Sequence, residues 1–428
     1  MARHSATEKI LAKASGKKEV FPGDIVTADI DLAFAHTIQR HYDPFEVIGG
    51  VKGVWDPEKV VFALGHHLFS SNDKATADIY KRVRDLNKKY GLKHVYDFGT
   101  GIGHYLAIEK GHVWPGAVAV GADSHTTSYG AVGAFATPAN FEMTELLLSG
   151  KLWFKVPRTV KINIEGKTKK GVLPRDVAQH VLSLFGQDGG LGQTIEFTGS
   201  YISGLSIQQR VIFSLLAVEM GGLTGFIPPD EKTIAFAKKV SRNPNFEIML
   251  DDPDVEYSKV VEIDVADLEP QIACPYSPTN TKEVGEVVGQ KIDQAFIGGC
   301  TGGGLQDLQR AAEILAGNKC HSDVRLMVVP GTREIMSRAL ADGTIEAFHQ
   351  AGASILPPYC GPCQMLCVGN IASGETMIGT HPRNWPGRGG AQGDGGQVFL
   401  ASPYTVAASA IAGEIVDPRD YMTAAEDF

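Results

Sequence analysis

Residues 294–315 read QAFIGGCTGGGLQDLQRAAEIL. An apolar run ends in glycines around Cys300, and from 305 to 315 apolar residues recur three and four positions apart. This spells a buried strand, a tight turn and an amphipathic helix. The order repeats along the chain. Residues 60–64, 117–121, 159–164 and 325–329 read as strands; 73–90, 174–185, 206–220 and 332–340 read as helices. Pro174 suits a first helical turn, where its missing N–H is not needed. Such alternation predicts an α/β fold with mostly parallel sheets, in which ligands gather beyond the carboxyl ends of the strands. Composition shifts near 150 and 285 suggest lobes 1–150, 151–285 and 286–428.

The chain has 428 residues, 43% hydrophobic and 21% charged, enough for a large core and too apolar for disorder. Nothing approaches the ~18 apolar residues of a membrane span. The opening MARHSATEKILAKASGKKEV is charged and lacks the apolar run of a secretory signal, so a cytoplasmic protein is expected. A net charge of -9 argues against a nucleic-acid surface. It still allows a few arginines in a cleft to attract a small anion. Six cysteines are too sparse for a disulfide scaffold. Cys360, Cys363 and Cys367 cluster, while Cys274, Cys300 and Cys320 stand apart, a pattern pointing to metal or catalysis.

Cys360-Gly361-Pro362-Cys363 places two sulfurs on one side of a tight turn, which suits half a zinc site, a redox dithiol or part of an iron–sulfur site. Cys300, at a strand end before a helix, would sit where backbone amides and the helix dipole favour a thiolate. Three thiolates on a four-iron cluster leave one iron open to a substrate hydroxyl and carboxylate. Gly121-Ala122-Asp123-Ser124-His125-Thr126 offers a carboxylate, a hydroxyl and an imidazole at another strand end. His66-His67 and His104 follow further apolar runs. Arg383 and Arg388, in a turn-rich loop, have the spacing of a carboxylate clamp. Residues 387–396, GRGGAQGDGG, read either as a flexible loop or as backbone in close approach to a ligand.

Together these motifs resemble the aconitase superfamily, in its stand-alone large-subunit form of the 3-isopropylmalate dehydratase type. The likeness runs through Pro22-Gly23-Asp24, the 121–126 motif, residues 134–137, residues 150–157, Cys300-Thr301, CGPC at 360–363, Arg383-Asn384 with Gly387-Arg388, and residues 400–403. It implies three α/β lobes around a central cleft. A [4Fe–4S] cluster would be held by Cys300, Cys360 and Cys363, with one iron not ligated by protein. His67, His104, Asp123, His125 and Glu219 would be catalytic, and Arg383, Arg388 and Ser124 would bind substrate. The reaction implied is dehydration, with rehydration, of a hydroxy di- or tricarboxylate. Candidates are 3-isopropylmalate, homocitrate or homoaconitate, citramalate and dimethylmalate. The family's serine base lies in a swivelling domain with a Gly-Ser-Ser-Arg-Glu-like motif that is missing here, so a separate small subunit is expected.

The departures from the family pattern are specific. Gly302-Gly303-Gly304 replaces Asn-Gly-Arg, His66-His67 replaces Asp-His, Leu215-Leu216 replaces Asn-Met, and Tyr105 stands where glutamine is common. A changed substrate explains them, the cysteines and arginines being kept; the alternative is a cluster-binding regulatory or scaffold subunit. Electron transfer fits poorly, since it favours full ligation and a compact cysteine motif. Cys367 is expected to serve packing, and Cys320-His321 structure.

Overall fold

The computed structural model of the chain describes residues 3–36, 52–364, 368–390 and 395–422. Cys367 and residues 391–394 of the glycine-rich stretch lie outside the described residues. Four-residue runs such as Val60–Ala63 and Val118–Gly121 are buried at every position, the signature of parallel strands covered on both faces. They belong to a five-stranded parallel sheet in the order His94–Tyr96, Val60–Ala63, Leu32–Ala35, Val118–Gly121, Phe135–Pro138. A second parallel sheet orders Thr224–Phe226, Thr194–Thr198, Thr159–Glu165 and Lys259–Asp264. The third has seven strands. Gln397–Ala401, Thr376–Gly379, Gln294–Gly298, Arg325–Val329 and Ser354–Ile355 run parallel. Gln271–Ala273 and then Thr281–Glu283 extend it antiparallel. An antiparallel pair joins Ile25–Asp29 to Lys151–Lys155. The class is therefore the expected α/β, with mostly parallel sheets.

Helices Pro174–Phe185 and Leu305–Leu315 take the bounds read from sequence. Residues 73–90 form the helix Lys74–Lys89, capped by Asp73, whose carboxylate accepts the Thr76 N–H at 2.8 Å. The expected helix 206–220 is α-helical only over Ile207–Leu216; Ala217–Met220 tightens to a 3₁₀ turn that ends at Gly221 with φ 80°. The tighter pitch buries Glu219 to 5% exposure. The 121–126 motif is more than a strand-end loop, because Asp123 caps a 3₁₀ helix, Ser124–Val132, by accepting the His125 N–H at 2.8 Å. In the glycine-rich stretch, close approach is to the chain's own backbone. The Gly389 carbonyl accepts the Ile371 N–H at 2.8 Å, and a Cβ at Gly390 would lie 2.7 Å from the Ile371 carbonyl oxygen.

The carboxyl edges of the first and third sheets meet. Ile102 N–H donates to Gly331 O at 2.8 Å, and Cys360 N–H to His66 O at 2.8 Å. Gly130 controls how the second sheet seats against the first. Its carbonyl accepts the Ile227 N–H at 3.0 Å, and a Cβ there would overlap the Gly225 carbonyl. Among the described residues no helix is long and apolar enough to cross a membrane. Gly130→Ala is expected to cost about 3 kcal/mol, seen as a lower urea midpoint at unchanged slope; an unchanged midpoint would contradict this packing.

Candidate active site

The first sheet delivers its polar residues from consecutive strand ends: His36 after Leu32–Ala35, His66 and His67 after Val60–Ala63, and Asp123 after Val118–Gly121. His104 comes from the short helix Gly103–Glu109. The Asp123 carboxylate is the hub. Its Oδ1 is 2.9 Å from His104 Nε2, and its Oδ2 is 3.2 Å from His36 Nε2 and 4.0 Å from His67 Nε2. Burial alone would raise the Asp123 pKa, but His104 and His36 outweigh it and hold the carboxyl well below its ordinary range. Burial drives His66 and His67 well below the usual histidine value, with neighbouring rings adding to the effect: His67 first for His66, His36 first for His67. His67 is the more open of the catalytic candidates, its side chain 17% exposed against 1% for His104.

The third sheet supplies the sulfurs. Cys300 follows Gln294–Gly298, and Cys360 and Cys363 bracket the 3₁₀ turn Gly361–Cys363. All three are buried. Burial pushes the Cys300 thiol well up, and the nearby Cys363 sulfur adds to it. Cys363 is raised by burial too, against the pull of Arg388 and Arg383. The turn at Cys300 is locked to the strand end at 380: Thr301 Oγ1 donates to Thr380 O at 2.6 Å, and Thr380 Oγ1 accepts the Gly298 N–H at 2.8 Å. Cys320 lies elsewhere, its thiol donating to Ala410 O at 3.2 Å, in keeping with a structural role.

Arg383 ties the sheets together. Its Nε donates to Glu219 Oε1 at 2.6 Å and its Nη1 to Ser124 Oγ at 2.8 Å. Glu219 also lies 2.9 Å from His125 Nε2. Burial opposes ionisation of Glu219, but Arg383 and His125 overcome it and lower its pKa. The same guanidinium, after burial, pushes His125 down to about 4 although Glu219 pulls the other way. His67, His104, Asp123, Ser124, His125, Glu219 and Arg383 thus form one connected polar network beside the sulfurs. Arg388 donates to the Cys363 carbonyl at 3.2 Å, so part of its fork holds the cysteine turn.

Sequence reading missed three participants. His36 obeys the strand-end rule that singled out its neighbours. Arg175, inside a helix, donates to Thr380 O at 3.2 Å and His381 O at 3.0 Å, fixing the base of the arginine loop; no local pattern marks it. Gln364 Nε2 lies 3.1 Å from His67 Nε2, immediately after the cysteine turn. The glycines at 302–304 fill with neighbours: a Cβ at Gly302 would overlap Thr380 Oγ1, and one at Gly304 the Gln208 amide. The room that an asparagine and an arginine need is already occupied. Arg383→Ala should raise the His125 pKa from about 4 toward its ordinary 6.5, read by imidazole ¹⁵N NMR; an unmoved titration would contradict the Arg383 coupling.

The aconitase family profile (aconitate hydratase) matches residues 58–291 and 282–413. The 3-isopropylmalate dehydratase large subunit 1 of Methanopyrus kandleri is 45% identical over 422 residues, 97% of this chain and 99% of that protein. A probable 3-isopropylmalate dehydratase large subunit of Methanothermobacter thermautotrophicus is 42% identical over 417 residues, covering 97% and 98%. The 3-isopropylmalate dehydratase large subunit of Heliobacterium modesticaldum is also 42% identical, over 417 residues, with the same coverages. With identity of this order sustained across nearly the whole chain, the protein belongs to the aconitase family of hydro-lyases.

Proposed function

We propose that the chain is the large subunit of a two-protein dehydratase acting on 3-isopropylmalate or a related 2-alkylmalate or homoaconitate. A [4Fe–4S] cluster would be held by Cys300, Cys360 and Cys363, and a small subunit with a swivelling domain would carry the serine base. What supports this reading is that the buried Cys363 perturbs the buried Cys300, and that Cys360 offers its sulfur within 4.8 Å of ring nitrogens of His66 and His67, beside a carboxylate–histidine–arginine network. The donor set fits such a cluster. Three soft thiols are buried, at a cost that iron ligation would offset, and Arg383 and Arg388 lie close enough to favour the charged form of Cys363. The relatives' designation as large subunits supports a smaller partner.

When bound, the cluster supplies a Lewis-acidic iron without a protein ligand. Arg383 is the carboxylate-orienting group, and its bonds to Glu219 and Ser124 hold its fork in place. Asp123 stays ionised and, fixed by His104 and His36, presents its charge to His67. His67, more open than His104, is the group offered for proton exchange at the substrate hydroxyl, its lowered pKa making its protonated form a strong donor. His104 acts behind Asp123 as a positioning residue. The packed glycines at 302–304 replace polar contacts to substrate, which favours a less polar substituent than the family's tricarboxylates carry.

Anaerobic reconstitution of the chain with its partner, followed by absorbance of the enediacid on adding 2-hydroxy dicarboxylates, tests the reading. Turnover that requires the partner is expected; a metal-free preparation, or full turnover by the chain alone, would overturn it. Cys300→Ser should lose both iron and turnover. Asp123→Asn should keep iron while lowering kcat about 100-fold, with KM little changed. Equal loss of iron in both variants would contradict the division between sulfur ligands and proton-handling groups.

A further inference from the structure

Arg175 lies in the first turn of the helix Pro174–Phe185 with 1% of its surface exposed. Its guanidinium donates only to main-chain carbonyls, Nη1 to Thr380 O at 3.2 Å and Nη2 to His381 O at 3.0 Å. Its Nε, also buried, has no partner among the described residues. The carboxylates that act on it are engaged elsewhere. Asp176 accepts the Leu173 N–H at 2.7 Å and the Gln271 N–H at 2.9 Å. Glu219 holds Arg383 and His125, and Asp307, pushed up to about 7 by burial, bonds to the Gly304 backbone. A fully buried cation without a paired carboxylate is costly unless another anion completes it.

The Cys300 turn is tied to the same point. Thr380 O accepts Thr301 Oγ1 at 2.6 Å as well as Arg175, and Thr380 Oγ1 accepts the Gly298 N–H at 2.8 Å. Gly298 and Thr301, on either side of Cys300, are therefore pinned to the residue that the guanidinium grips. Burial lowers the Arg175 pKa to about 10, and Cys300 comes first among the groups that pull it back, so the side chain stays charged at neutral pH. We propose that Arg175 is the fixed counter-charge of the iron–sulfur group, acting on it through Cys300 and the turn that carries it. This rests on the reading of Cys300 as a cluster ligand. A four-iron cube on three thiolates is anionic, and a cation held beside one ligand stabilises it and favours an added electron. Arg383 is partly neutralised by Glu219, whereas Arg175 has no such partner. At 1% exposure Arg175 is out of a substrate's reach, which makes it a positioning residue rather than a catalytic one.

The test is an EPR-monitored potentiometric titration of the reconstituted full chain, with iron and sulfide measured for each protein. Arg175→Lys keeps the charge and loses the fork, whereas Arg175→Gln keeps an N–H donor and loses the charge. Midpoints should follow the charge, with wild type and Arg175→Lys together. Arg175→Gln should lie lower by at least the about 59 mV of a tenfold change in a one-electron equilibrium. A midpoint of Arg175→Gln that coincides with wild type, or one of Arg175→Lys as low as that of Arg175→Gln, would overturn the role of the charge and leave Cys300 as a ligand. If Arg175→Gln does not load, Arg175→Lys decides. Wild-type iron, sulfide and midpoint are then expected of it; a lysine variant that also stays empty, or titrates lower, would reduce Arg175 to its carbonyl bonds and overturn the proposal. Failure of the wild type itself to take up iron and sulfide would instead overturn the ligand reading.

Discussion

Burying ionisable groups in a cleft between two sheets is the constraint around which this molecule is arranged. Cys300, Cys360, Cys363, Asp123 and Glu219 are all withdrawn from water, and each would resist charge if left alone. The chain answers in two ways. Asp123 and Glu219 receive imidazole and guanidinium partners and stay ionised. Cys300 and Cys363 keep raised pKa values, a donor set suited to a soft, positively charged partner. The two treatments lie near each other because the carboxyl ends of the parallel strands of the first and third sheets meet.

Precise placement follows from backbone contacts that leave little slack. Ile102 bonds to Gly331, Cys360 to His66, and Gly298 to Thr380, so histidine loops, cysteine turn and arginine loop are cross-tied. Arg175 completes the frame from below by holding the carbonyls of residues 380 and 381. A shift in any one loop moves the others. Pre-organisation of this kind lets an ionised carboxylate keep its charge without water.

Much of this was legible in the sequence, for physical reasons. Parallel strands bury both faces and so read as continuous apolar runs, which is why the strands at 60 and 118 stand out. Residues 174–185 and 305–315 carry the apolar spacing of helices with one buried face. The strand-end rule then pointed to Cys300, Asp123 and His66-His67. His36 followed the same rule without a flanking motif to draw notice. Arg175 was illegible because its partners lie more than two hundred residues away, at Thr380 and His381. The 3₁₀ turn that buries Glu219 and the 3₁₀ helix after Asp123 also escaped, since their tighter pitch goes with the close packing of Ala217 and Gly130 against Gly225 rather than with local propensity.

The central proposal is that Cys300, Cys360 and Cys363 would hold an iron–sulfur cluster with one iron not ligated by protein. Mössbauer spectroscopy of ⁵⁷Fe-reconstituted protein, before and after a hydroxy dicarboxylate is added, addresses that iron directly. The account predicts a single iron site whose isomer shift and quadrupole splitting change with the ligand while the remaining irons hold theirs. Irons that all stay unchanged, or that never assemble into a cube, would contradict it.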